Sequence, residues 1–186
     1  MPTLYILAGP NGAGKTTAAY RLLPDVFKTV EFVNADEISR GLSPLNVDSV
    51  AFQAGRIMLE RLEYFIKAKK SFAFETTLSG LAYLKFIHLA KISGFEITFF
   101  FAWLDSFELA INRVASRVKK GGHNIPDDVI ERRYWKEIGN FSKYAQEADS
   151  WYLYDNSGAE YVLIAKCIEG EKEIFNFEVL NKITEI

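Results

Sequence analysis

Gly9, Gly14, Lys15 and Thr16 fill every fixed position of G-x-x-x-x-G-K-[ST], within the run Gly9-Pro10-Asn11-Gly12-Ala13-Gly14-Lys15-Thr16-Thr17. Glycines at this spacing let the backbone curl until successive N–H groups face inward, as a chain of phosphates requires. A helix opening at Lys15 adds its positive end to the same spot. Lys15 has the reach for β- and γ-phosphates, and the Thr16 hydroxyl is a hard oxygen ligand for Mg²⁺. The implied chemistry is the binding of a nucleoside triphosphate with its magnesium.

The flanking residues supply the elements such a loop needs. Thr3–Ala8 is a short apolar run that reads as a buried strand, and Lys15–Leu23 reads as a helix. Further strands are expected at Val30–Val33, Ser71–Phe74, Glu96–Trp103, Trp151–Tyr154 and Tyr161–Ile168, with a terminal hairpin turning at Gly170-Glu171. Helical periodicity marks Val47 to about Lys69, Leu81–Lys91, Phe107–Lys120, Pro126 to Ala148, and Glu178–Thr184. This alternation predicts an α/β fold of the P-loop NTPase type, with a mainly parallel five-stranded sheet and helices on both faces. Neither repeats nor linkers interrupt it, so residues 1–186 read as one domain with a helical lid at about 113–133.

Composition narrows the partners. The 186 residues are 49% hydrophobic and 25% charged with a net charge of −2, which gives no general positive field for nucleic acid or an anionic membrane. No apolar run reaches the length of a membrane span, and the first strand begins too early for a signal peptide. Cys167, the single cysteine, reads as a small core residue in a reducing compartment, and the cytoplasm is the expected location.

A P-loop fixes the nucleotide, not the reaction. A GTPase switch needs D-x-x-G and N-K-x-D, and neither occurs. Leu78-Ser79-Gly80-Leu81-Ala82 shares only its first three letters with the L-S-G-G-Q signature of ABC-type ATPases, and no apolar strand ends in Asp-Glu. A small-molecule kinase needs a carboxylate to deprotonate a hydroxyl, support for the metal, and arginines over the γ-phosphate. Asp36 and Glu75 both fall at strand ends on the P-loop side, Asp36 as the base and Glu75 beside metal and phosphates. Their competing roles are a helix N-cap for Asp36 and a solvated strand end for Glu75.

Arg113 and Arg117 share one helical face, and Arg132 and Arg133 follow beyond Gly121-Gly122. Two helices joined by that loop make a lid that closes on a triphosphate, with at least one of Arg117, Arg132 or Arg133 touching it. Lys119-Lys120 read as solvated, His123 as a lid surface residue and His88 as structural. Two distant histidines and one cysteine argue against zinc.

Together, Gly9–Thr17, Asn34-Ala35-Asp36, Phe74-Glu75-Thr76-Thr77-Leu78-Ser79-Gly80, Arg117 with Gly121-Gly122-His123-Asn124-Ile125-Pro126, Arg132-Arg133-Tyr134 and Tyr154-Asp155-Asn156-Ser157 resemble the zeta-toxin-like P-loop kinases. More narrowly, they resemble compact bacterial members often described as predicted ATPases, and the likeness runs from Thr3 to about Ala165. The resemblance implies sheet order 2-3-1-4-5, ATP as donor, Asp36 as the base, and Glu75 near acceptor and metal. It also implies lid arginines on the phosphates, Asn156 edging the adenine, and Arg56 facing the acceptor or solvent. Toxins of that family phosphorylate UDP-N-acetylglucosamine. A nucleotide sugar is therefore one implied acceptor among other small hydroxyl compounds, and an antitoxin protein is an implied partner. The chain is shorter than those toxins. An ATP-binding regulatory module is the alternative from another class, and a polynucleotide 5′-hydroxyl kinase is disfavoured by the acidic balance.

Overall fold

Ala8, the last residue of the first strand, lies level with Thr76 on one side and Phe101 on the other. Chain segments leaving these strands therefore emerge at one edge of the sheet, where ligands gather in open α/β folds. The computed structural model describes residues 1–184. Its strands are β1 Thr3–Ala8, β2 Phe32–Val33, β3 Phe72–Thr76, β4 Glu96–Trp103, β5 Ser150–Asp155, β6 Val162–Ile168 and β7 Glu171–Ile174. The helices are α1 Lys15–Asp25, α2 Ala35–Leu42, α3 Ala51–Lys67, α4 Leu84–Ile92, α5 Phe107–Val118, α6 Asp127–Glu147 and α7 Phe177–Thr184.

The sheet has seven strands in the order β2-β3-β1-β4-β5-β6-β7, not five. The first five are parallel in the expected order 2-3-1-4-5. β6 then adds antiparallel to β5, and β7 to β6. The physical reason is the free edge of β5, whose backbone groups need partners that the terminal hairpin supplies.

Strand alternation divides the core. Phe72 and Phe74 of β3 join Met58, Leu62 and Phe65 of α3 and Phe141 and Tyr144 of α6 in the larger cluster. Leu7 and Ala73 face the other way and pack with Ala19 and Leu23 of α1. Glu75 shares the register of Leu7 and the strand face of Ala73, so it points to the side that α1 occupies.

Several boundaries differ from the sequence reading. Val47–Val50 forms a short 3₁₀ turn before α3, and α4 opens at Leu84 rather than Leu81. The helix that the competing reading of Asp36 implied does form, as α2. Its N-cap is Asn34, whose side chain accepts the backbone N–H groups of Asp36 and Glu37, so Asp36 lies in the first turn instead of capping it. No helix among the described residues is long and apolar enough to cross a membrane.

Candidate functional site

The loop between β1 and α1 is held by contacts that require its glycines. Gly9 has φ +137°, and a Cβ there would lie 2.1 Å from the Ala102 carbonyl oxygen of β4. Gly14 has φ +80°, and its Cβ would meet the Tyr161 hydroxyl at 2.6 Å and the Asn156 side-chain nitrogen at 3.0 Å. Those two side chains both donate to the Ala13 carbonyl, Asn156 at 2.9 Å and Tyr161 at 3.1 Å. Asn156 thus grips the phosphate loop itself. Among the described residues no side chain caps the start of α1, which leaves its first N–H groups available to an anion. Lys15 is buried, and its Nζ donates to the Pro10 carbonyl at 3.0 Å.

Glu75 is the hub of the site. Its Oε2 accepts the Thr16 hydroxyl at 2.7 Å and the Asn34 amide at 2.8 Å, while Oε1 lies 3.7 Å from Lys15 Nζ. Asn34 uses both ends of its side chain: the oxygen caps α2 through Asp36 N at 2.8 Å, and the nitrogen orients Glu75. A hydroxyl and a carboxylate, both hard oxygen donors beside a phosphate loop, fit Mg²⁺.

Beyond Glu75 opens a cavity of about 410 Å³ whose walls include Asn11, Asp36, Thr77, His123 and Arg133. Asn11 is buried, and its Oδ1 has no hydrogen-bond partner among the described residues. Asp36 also lines a smaller neighbouring cavity of about 60 Å³ with Arg40 and Arg117. The two proposed carboxylates therefore reach one space, flanked by arginines.

The arginines divide. Arg133 lines the main cavity, whereas Arg132, on the same helix, is exposed and lines neither cavity. Arg117 donates to the His123 carbonyl at 3.0 Å and so braces the turn between α5 and α6. Arg113 donates to the carbonyls of Ser157 at 3.0 Å and Gly158 at 3.2 Å, tying α5 to the segment after β5. Arg56 sits on the exposed face of α3 and pairs with Glu60 at 3.8 Å, the solvated alternative. His123 does not simply face solvent: its Nε2 lies 3.4 Å from Asp48 at the cavity wall. His88 is more than half exposed beside Glu147, not embedded in the core.

Sequence reasoning missed Glu137. It is fully buried on α6, and neither carboxyl oxygen has a hydrogen-bond partner among the described residues. Burial pushes its pKa up to about 8, against the opposing pull of Lys15 and Arg133. The available signal was helical spacing, since Ile130, Tyr134, Glu137, Ile138 and Phe141 fall on the buried face of α6.

A family model described as an AAA domain matches residues 4–134. A protein of uncharacterised function from Haemophilus influenzae is 31% identical over 126 residues, 68% of this chain and 88% of that protein. Among solved structures, a chain of the AvrRxo1-ORF1:AvrRxo1-ORF2 complex with ATP is similar, with TM-score 0.81 and 20% identity. The match covers 99% of this chain but 64% of that one, so this chain spans less than two thirds of its length. A chain of the PezAT chromosomal toxin–antitoxin system of Streptococcus pneumoniae has TM-score 0.68 at 16% identity, covering 100% of this chain and 79% of that one. At these identities the solved structures establish likeness of fold.

Proposed function

The chain belongs to the AAA domain family, and from that premise we propose that it is an ATP- and Mg²⁺-dependent phosphotransferase acting on a hydroxyl of a small-molecule acceptor. The observation that carries this reading is the sharing of one cavity by Asp36, Glu75 and Arg133 beside the phosphate loop. A pure nucleotide binder has no need of a second carboxylate in an acceptor-sized space.

In the proposed reaction, the loop amides and Lys15 hold the β- and γ-phosphates, with Arg133 reaching the transferred group. Asp36 takes the proton of the acceptor hydroxyl. The acceptor oxygen bonds to the γ-phosphorus, the bond from that phosphorus to the β–γ bridging oxygen breaks, and ADP leaves with the electron pair. Thr16, with Glu75 accepting its hydroxyl's hydrogen bond, would hold Mg²⁺, which would supply charge neutralisation at the phosphate oxygens. Closure of the segment at about 113–133 excludes water from the transferred phosphoryl group.

Within the family, the likeness to a PezAT chain supports a place among zeta-toxin-like kinases. A nucleotide sugar then stands first among acceptors, and an antitoxin is the matching protein partner. The test is incubation with labelled ATP, Mg²⁺ and a panel of nucleotide sugars, nucleosides and metabolite extract, with wild type and Asp36→Asn in parallel. A labelled product made by wild type and lost in Asp36→Asn supports the reading. ATP binding without any labelled acceptor overturns it and favours the regulatory module.

A further inference from the structure

A carboxyl group without a hydrogen-bond partner is costly to bury, and native structures rarely keep one without use. Glu137 is such a group, at 0% exposure with both oxygens unpartnered among the described residues. Its position on α6 is fixed from both sides. Tyr134 donates to the Leu104 carbonyl at 2.7 Å, Asn140 to the Leu78 carbonyl at 2.8 Å, and Tyr144 to the Gly80 carbonyl at 2.8 Å. This stretch of α6 is bolted to the segments after β3 and β4, so Glu137 cannot swing out to solvent.

The groups acting on it are Lys15 from α1, Arg133 one turn earlier on its own helix, and the Thr77 hydroxyl from the segment after β3. Neither cation lies within ion-pair distance of Glu137, and Lys15 also faces Glu75 at 3.7 Å. Both cations border the space where a phosphate chain would lie. Lys15 belongs to the phosphate loop, and Arg133 lines the main cavity. The two cations that act on Glu137 are thus ones that the phosphate loop and the main cavity also offer to a ligand.

We propose that Glu137 is a positioning residue for phosphate binding: ionised, it draws Lys15 and Arg133 back, and by taking up a proton it yields them to the phosphate chain. The inference rests on the ligand being a polyphosphate, the first half of the function proposed above. It does not require transfer to an acceptor. The balance is simple, with one proton moving from solvent to a Glu137 oxygen as the polyphosphate binds. The carboxyl's pKa near 8 means that this exchange falls within reach of ordinary buffers.

The experiment is titration calorimetry of the whole chain with Mg²⁺ and a non-hydrolysable ATP analogue, in two buffers of different ionisation enthalpy, from pH 6.5 to 9.5. Wild type should take up a growing fraction of one proton above about pH 8, and its affinity should fall by up to about tenfold per pH unit there. Glu137→Gln and the apolar Glu137→Met should show neither effect while binding at least as tightly as wild type at pH 9. Melting temperatures establish that each variant is folded, and two replacements guard against one failing to fold. Equal proton uptake in wild type and variants overturns the inference. Absence of polyphosphate binding overturns both it and the proposed function. Binding with the expected proton uptake but no acceptor labelled leaves the inference standing and overturns only the transferase reading.

Discussion

Thr16 donates its hydroxyl to Glu75 across 2.7 Å, joining the first turn of α1 to the tip of β3. Two conditions for metal support, a free lone pair on the hydroxyl and a fixed carboxylate, follow from that bond and from the Asn34 amide on the same oxygen. Glu75→Gln keeps the shape but loses the charge. Half-maximal activity should then require about tenfold more Mg²⁺ or higher, with kcat down by roughly 10²-fold. A magnesium titration of transfer rate checks this. An unchanged Mg²⁺ requirement would remove Glu75 from the metal site.

Asn34 has two tasks that different substitutions separate. Asn34→Ala removes both the α2 cap and the donor to Glu75, and should cost about 1 kcal/mol of stability as well as activity. Asn34→Ser keeps a capping oxygen but is too short to serve Glu75. It should recover most of the stability in a urea melt while showing the same shifted Mg²⁺ dependence as Glu75→Gln.

Gly14→Ala meets a double penalty, a left-handed backbone and a 2.6 Å approach to the Tyr161 hydroxyl. The backbone part should cost about 1–2 kcal/mol. Adding Tyr161→Phe removes the crowding oxygen and should restore part of the melting temperature, never all of it. Full recovery would show that the backbone conformation carries no strain.

Folding stability should also respond to Glu137. Its pKa is 4.5 when solvated and about 8 in the fold, so between those values the folded chain holds a proton that the unfolded chain has released. Stability therefore contains a contribution that is full below about pH 4.5 and is lost as pH rises towards 8, by at most about 1.4 kcal/mol per unit. Urea melts from pH 5 to 9 should show Glu137→Met losing less stability than wild type over this interval. Parallel curves would mean that the fold does not raise the carboxyl's pKa.

The phosphate loop could be read from four residues because its chemistry is local: the glycines, lysine and threonine act through their own backbone and spacing. That Asp36 and Glu75 would lie near one another could be read from strand ends, since a parallel sheet brings its strand tips to one edge. Glu137 was hidden for the opposite reason. It lies in the charged stretch Glu131-Arg132-Arg133-Tyr134-Trp135-Lys136-Glu137, and only the docking of α6 onto the segments after β3 and β4 separates buried charge from solvated charge. Likewise Arg132 and Arg133 are indistinguishable as neighbours in sequence, and the 100° step between them decides which one lines the cavity. The sixth and seventh strands were expected as a hairpin, but their joining to β5 depends on an edge that exists only once the sheet has formed.

That hairpin also governs what other chains can do to this one. The sheet ends on one side at β2, with only Phe32 and Val33 paired, and on the other at β7, whose Glu171, Lys172 and Glu173 are exposed. A two-residue strand and a charged one are poor templates for a visiting strand. Backbone zippering, the least selective way for proteins to associate, is thus discouraged at both margins. A protein that recognises this one must read the side chains on its faces, and will be correspondingly selective.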